Sequence, residues 1–223
     1  MKGLLKSSFY SVGNTFHIIV IFLIFAYSGT LVLGNRSLLI VLSILTPILF
    51  FIIFISGFRK ENSNKWSKYQ LTLPVTRKMI VLSKYISCLG WILLGTLIIS
   101  IGVLLAISLN SELYFTENRD VFTLVILSLG IPLLSGALFY PSIYQFGIDK
   151  TEILIFFTLI ISCLFTLAYF SAVNYFIFKN VVDGSQISDP TYYFWLGSYF
   201  LFVILAVIIS FLITVKIYKN KQY

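Results

Sequence analysis

The sequence predicts an all-α integral membrane protein with six transmembrane helices. Of its 223 residues, 59% are hydrophobic and only 11% are charged, and the mean hydropathy is +0.98. The apolar residues are gathered in runs of about 20, the length at which a helix crosses the hydrocarbon core of a bilayer. These observations exclude a soluble globular protein and predict one transmembrane domain over residues 1–223.

Six apolar runs are long enough to form the spans. They predict helices at residues 16–34, 38–58, 85–109, 121–144, 152–178 and 194–215. Short polar turns separate most of them, including an acidic loop at residues 110–120. Pro47 in the second run permits a kink, and Pro132 and Pro141 predict a broken or bent fourth helix, because proline removes a helical hydrogen bond.

Residues 1–15 come before the first span. They mix Lys2 and Lys6 with apolar side chains, a pattern that predicts an interfacial helix lying among the lipid headgroups. A secretory signal peptide also begins with basic residues. We expect none here, because the apolar run that follows is longer than the usual signal core and no A-x-A cleavage site follows it.

The basic residues are distributed unequally between the two predicted sides of the membrane. Thirteen of the sixteen lie in the N-terminal stretch, residues 59–84, the turn at Lys150 and the C-terminal tail. Only Arg36, Arg119 and Lys179 lie on the other side. The positive-inside rule therefore predicts that both termini and residues 59–84 are cytoplasmic. The basic residues on the cytoplasmic side explain the net charge of +8, and no nucleic-acid partner is expected.

Residues 59–85 are the only sizeable polar segment between apolar runs, and they hold seven of the sixteen basic residues. Residues 59–64 predict a charged turn, because Asn and Ser favour turns and helix caps. A short helix is predicted to follow and to end at Pro74. Thr76 is then expected to cap a new helix that continues into the third span.

The short cytoplasmic helix is predicted to be amphipathic. Trp66, Tyr69 and Leu73 recur on one face, whereas Lys65 and Lys68 lie on the other. Such a helix offers a docking surface to a soluble partner. The alternative is a solvated loop whose lysines contact only lipid headgroups, and the residues by themselves leave both readings open.

A mildly polar face runs along the fifth span. Thr158, Ser162, Thr166 and Tyr169 recur at helical spacing in an otherwise apolar run. This face is expected to avoid lipid, and it would line a pathway or contact another helix. The alternative is that the hydroxyls bond back to their own helix, as Ser and Thr often do.

The spans contain no recognisable catalytic or ion-relay group. No Asp, Glu, Lys or Arg lies in the middle of a predicted span, where a charge is costly and is normally kept for a function. The chain has no phosphate-binding loop and no metalloprotease or hydrolase motif. We therefore predict a non-catalytic protein without a cofactor or metal of its own. If it moves a substrate, another subunit supplies the energy.

The central polar segment resembles the coupling segment of the ABC type 2 permease family. In that family an acidic residue precedes a short helix, an L-P-[VI]-x-R run follows, and a K-Y pair opens the third span. The matching residues are Glu61, Trp66-Ser67-Lys68-Tyr69, Leu73-Pro74-Val75, Arg77, Ile80-Val81 and Ser83-Lys84-Tyr85. The six-span layout with both ends inside extends the likeness over the whole chain.

The resemblance implies a transmembrane subunit that docks on a separate ABC ATP-binding subunit. Two permeases, identical or related, would join two ATPases in a bacterial plasma membrane, and the ATPases would hold ATP and magnesium. The residues implied to couple to the ATPase are Glu61, Lys65, Trp66, Lys68, Tyr69, Leu73, Pro74 and Arg77.

The substrate is expected to be hydrophobic or amphipathic. The small size and low-charge spans look similar to Gram-positive permeases that export amphipathic peptide toxins, such as the phenol-soluble modulin exporter. Many family members carry an extracellular helical hairpin before the last span, and only residues 173–193 would be available for one here. Two other function classes remain open, an ion-coupled secondary transporter and a non-transporting immunity or sensor subunit.

Overall fold

The computed structural model describes residues 12–63, 75–114, 118–176 and 189–220, together with Gly3 and Ser7. Within these residues the chain forms six long α-helices and no strand. Their bounds are Gly13–Leu33 (α1), Arg36–Ser63 (α2), Arg77–Tyr114 (α3), Asn118–Phe146 (α4), Thr151–Phe176 (α5) and Asp189–Asn220 (α6). Each contains a segment that is long and apolar enough to cross a membrane, so the all-α, six-span prediction is confirmed.

Several helices extend beyond the apolar runs that predicted them. Residues 59–63 continue α2, so the charged turn predicted there is wrong over those residues. The acidic loop predicted at residues 110–120 is also wrong, because α3 continues to Tyr114 and α4 begins at Asn118. With 38 residues, α3 is about 57 Å long at about 1.5 Å per residue. A hydrocarbon core of about 30 Å cannot contain it, and helical hydrogen bonds form equally well outside the core.

Two helix starts are fixed by polar side chains. The Asn35 amide oxygen accepts a hydrogen bond from the Leu38 backbone N–H at 3.2 Å, so α2 begins at Arg36, two residues earlier than predicted. Gly34 precedes it with a φ of +63°, a left-handed conformation that favours glycine. The Thr76 hydroxyl accepts from the Met79 backbone N–H at 3.4 Å, which confirms the cap predicted for α3.

The prolines do not interrupt their helices. Pro47 lies inside a continuous α2, and Pro132 and Pro141 lie inside a continuous α4. Of the broken or bent fourth helix that was predicted, the break is therefore wrong, and the bend stays a prediction. Each proline still leaves one backbone carbonyl without its helical donor, and for Pro141 that carbonyl belongs to Ala137.

The fourth helix is at the centre of the bundle. It packs against α2, α3, α5 and α6, whereas α1 packs on α2. In the most apolar 18-residue window of each helix, 56% of residues are buried in α4 and 50% in α2, against 17% in α1, α5 and α6. The three peripheral helices thus leave broad apolar faces for lipid or for a second protein chain.

Contacts at the two ends of the bundle agree with helices that alternate in direction. At one end, Arg36 of α2 pairs with Asp120 of α4 at 2.6 Å. At the same end, the Thr123 and Tyr192 hydroxyl oxygens are 2.6 Å apart and join α4 to α6. Arg77 and the last turn of α6 lie at the opposite end, called here the Arg77 end. Which end faces the cytoplasm stays a prediction from the basic residues.

Candidate functional site

An apolar cleft of about 590 Å³ lies between α4, α5 and α6. It extends from the middle of these helices toward the Arg77 end, because its walls come from residues 134–142, 161–165 and 202–213. The lining residues are Leu134, Ala137, Leu138, Pro141, Ser142, Ile161, Ser162, Phe165, Phe202, Leu205, Ala206, Ile209, Ser210 and Ile213.

The polar face of α5 borders this cleft. Thr158, Ser162 and Thr166 are all buried. Each hydroxyl donates to the backbone carbonyl four residues earlier on α5, at 2.7 to 2.8 Å. All three hydroxyls therefore bond back to their own helix, which is one of the two alternatives that the sequence left open. Ser162 also lies in the cleft wall, so it faces the space between the helices.

The far end of the same polar face meets α6. The Thr166 hydroxyl lies 3.0 Å from the Tyr199 hydroxyl. Tyr169 donates to the Trp195 carbonyl at 3.1 Å, and its hydroxyl lies 2.6 Å from that of Ser198. These bonds join α5 to α6 and close the cleft on the side away from the Arg77 end.

A second hydroxyl cluster joins α3, α4 and α6 at the other side of the cleft. The Tyr85 hydroxyl lies 2.7 Å from the Ser210 hydroxyl and 2.9 Å from that of Thr214. Ser210, a cleft residue, donates to the Ala137 carbonyl at 2.5 Å. This is the carbonyl that Pro141 leaves without a helical donor, so the proline creates the acceptor that ties α6 to α4.

Aromatic stacking reinforces this cluster. The Tyr85 and Tyr140 rings are stacked with centroids 4.2 Å apart and an interplanar angle of 27°. The Tyr140 hydroxyl donates to the Lys84 backbone carbonyl at 3.0 Å. Lys84 itself is buried, although the sequence placed it in the cytoplasmic segment.

Arg77 is directed onto α6 of its own chain. Its Nη1 nitrogen donates to the backbone carbonyls of Tyr218 and Lys219, at 3.1 and 2.9 Å. Carbonyls in the last turn of a helix have no donor within the helix, and the helix dipole makes that end attractive to a cation. The residue that the family resemblance implied as an ATPase contact thus caps α6 in this structure.

The remaining predicted coupling residues are not among those that the structure describes in full. Glu61 lies on α2 by its backbone, and its side chain is outside the description. The others fall in residues 64–74, which are outside the described ranges, and they are Lys65, Trp66, Lys68, Tyr69, Leu73 and Pro74.

The cluster around Tyr85 was not predicted as a site. The sequence contained one signal for it, since Ser210 and Thr214 are hydroxyl residues one helical turn apart in an otherwise apolar span. Their partners on α3 and α4 are more than 60 residues away in sequence, so only the packed structure identifies them. No group of three or more His, Cys, Asp or Glu side chains that could hold a metal occurs in the described parts of the chain.

The described fold is that of a multi-pass membrane protein with an apolar cleft between three of its helices. A family model for ABC-2 family transporter proteins matches residues 3–219, nearly the whole chain. The chain therefore belongs to the ABC-2 transporter family, whose membrane proteins are permease subunits that work with an ATP-binding subunit. No curated protein and no solved structure matches the sequence.

Proposed function

We propose that the chain is the permease of an ATP-driven exporter that carries hydrophobic or amphipathic molecules, amphipathic peptides among them, out of a bacterial cell. The cleft between α4, α5 and α6 is the observation that carries this proposal. With the orientation predicted from the basic residues, the cleft lies in the cytoplasmic half of the membrane, where a substrate from the inner leaflet or the cytoplasm would enter.

The chemistry of the cleft supports an apolar cargo. Every lining residue is uncharged, and the polar groups are the hydroxyls of Ser142, Ser162 and Ser210. An ion or a strongly polar solute would lose its hydration there without compensation. Binding an apolar molecule is favoured, because each Å² of apolar surface removed from water contributes about 25 cal/mol of favourable free energy. The volume of about 590 Å³ is within the range of about 300 to 1,000 Å³ that is typical of ligand pockets.

The energy source would be a separate ABC ATP-binding subunit docked on residues 59–84. The sequence has no phosphate-binding loop, so ATP and Mg²⁺ would be held by that subunit. A second permease, identical or related, would pack against the apolar faces that the peripheral helices expose. Trp66 and Tyr69 would anchor the ATPase contact, because large aromatic side chains contribute most of the energy of small interfaces.

Transport in reconstituted vesicles tests the proposal. The chain would be incorporated together with its ATP-binding subunit, and movement of a fluorescent amphipathic helical peptide would be followed. We expect transport with ATP and none with a non-hydrolysable analogue. Transport by the chain alone under an ion gradient would instead indicate a secondary transporter. No transport in either case, combined with unchanged peptide export after deletion of the gene, would indicate an immunity or sensor subunit.

A further inference from the structure

We propose that Arg77 and Tyr85 form a latch that makes the first turns of α3 and the last turns of α6 move together. The latch would transmit a displacement of the cytoplasmic segment to the cleft wall. The role of the latch in transport rests on the proposed function. The contacts that form the latch lie within one chain, so the latch can be tested on the purified chain alone.

The first point of the latch is the cap that Arg77 places on α6. Arg77 is the first residue of α3, so it directly follows the polar segment that we expect to bind the ATPase. Its two hydrogen bonds, to the Tyr218 and Lys219 carbonyls, are charge-assisted and therefore stronger than neutral ones. A movement of the start of α3 thus acts directly on the end of α6.

The second point is the Tyr85 hydroxyl, two helical turns further along α3. Ser210 donates its own hydrogen to the Ala137 carbonyl, and Thr214 donates to the Ser210 carbonyl at 2.8 Å. Both hydroxyl oxygens are therefore left as acceptors, and the single hydroxyl hydrogen of Tyr85 is donated to one of them or shared between the two. Tyr85, Ser210 and Thr214 are all buried, and a hydrogen bond is electrostatically stronger in such a low-dielectric environment.

The second point also belongs to the cleft. Ser210 and Ala137 line it, from α6 and α4 respectively. A shift of Tyr85 along α6 would move Ser210, and the bond from Ser210 to Ala137 would carry that movement to α4. Two separated attachment points are what this transmission needs, since one contact alone would let α3 pivot against α6.

Conservative variants separate the latch from general packing. Tyr85→Phe removes only the hydroxyl and keeps a ring to stack on Tyr140. Thr214→Val removes one acceptor at nearly constant volume and provides a second variant if Tyr85→Phe folds poorly. Tyr27→Phe is the matched control, because it removes a buried hydroxyl that lies 3.3 Å from the Thr46 hydroxyl and joins α1 to α2, elsewhere in the bundle.

Amide hydrogen exchange on the purified full chain tests the latch without any partner. We expect Tyr85→Phe and Arg77→Gln each to raise exchange at both the start of α3 and the end of α6. Tyr27→Phe should change neither. Faster exchange in only one of the two helices, or none in either, would overturn the latch. This result does not depend on whether the chain is an exporter.

The consequence for transport is tested in the reconstituted complex with its ATP-binding subunit. We expect Tyr85→Phe to lower the peptide transported per ATP hydrolysed about fivefold relative to Tyr27→Phe, the factor that corresponds to the loss of one hydrogen bond of about 1 kcal/mol. Bound ATPase should stay equal in the two variants. An unchanged ratio of transport to hydrolysis in Tyr85→Phe would overturn the transmission role. Absence of ATP-driven transport in the unsubstituted chain would instead overturn the proposed function.

Discussion

Gly130 of α4 faces the ring of Tyr199 on α6, and a Cβ added at Gly130 would lie 2.5 Å from the Tyr199 hydroxyl oxygen. Tyr199 is fully buried and cannot swing aside. Its hydroxyl also lies 3.0 Å from that of Thr166 on α5, so a single residue without a side chain permits three helices to meet.

Gly130→Ala should destabilise the protein by about 1 to 3 kcal/mol, the usual cost of overpacking. The measurement is the thermal unfolding midpoint of the purified chain in detergent. Gly197→Ala on α6 is the control, because no atom lies within 4 Å of a Cβ added there. It should be neutral or stabilising by up to about 1 kcal/mol, since alanine favours the helix. Equal midpoints for the two variants would contradict the packing described here.

Trp66→Ala should weaken binding of the ATP-binding subunit by roughly 2 kcal/mol or more, because an aromatic anchor is removed from a small interface. Lys60→Ala should change binding little, since Lys60 lies outside the predicted aromatic stripe and a single lysine charge contributes weakly to such interfaces. Titration of the ATPase against each purified variant measures both. If Trp66→Ala binds as tightly as the unsubstituted chain, residues 64–74 form a solvated loop and not a docking helix.

At the scale of helices, α5 presents two faces with opposite expected sensitivities. Ser162 is 1% exposed and lines the cleft, whereas Leu164 is 60% exposed on the outer face. Ser162→Phe should fill part of the cleft and lower peptide transport, while Leu164→Phe should leave transport unchanged. Leu159 is a poorer control, because it packs against the core. Equal loss of transport in both variants would show that the cleft is not the pathway.

The sequence predicted the helices because hydrophobic run length is a local property. It misplaced the ends of α2, at Ser63, and of α3, at Tyr114. Both helices continue through polar residues beyond the apolar runs, because a helix needs apolar side chains only inside the bilayer core. It could not predict the cleft, which depends on the sizes of side chains from three helices. It also missed the second hydroxyl cluster, because the bond from Ser210 to Ala137 depends on how α6 crosses α4.

At the scale of the whole molecule, the basic residues predict the orientation of the bundle. Thirteen of sixteen lie on one side, so reporter fusions after Asn35, Ser111 and Ser185 should read outside. Fusions after Ser63, Lys150 and Tyr223 should read inside. Two reporters, one active only in the cytoplasm and one active only outside it, measure the side of the membrane on which each fusion point lies. A Ser63 fusion that reads outside would reverse the topology and place the cleft in the outer half of the membrane.

Affinity purification of the tagged full-length chain from its own cell, in mild detergent, tests the central claim most directly. We expect that an ABC ATP-binding subunit copurifies in near-equal amount and that the isolated complex hydrolyses ATP. Trp66→Ala should lower the recovered amount of that subunit, and Lys60→Ala should leave it unchanged. Recovery of the intact chain without any ATP-binding subunit, with or without chemical crosslinking before lysis, would contradict it.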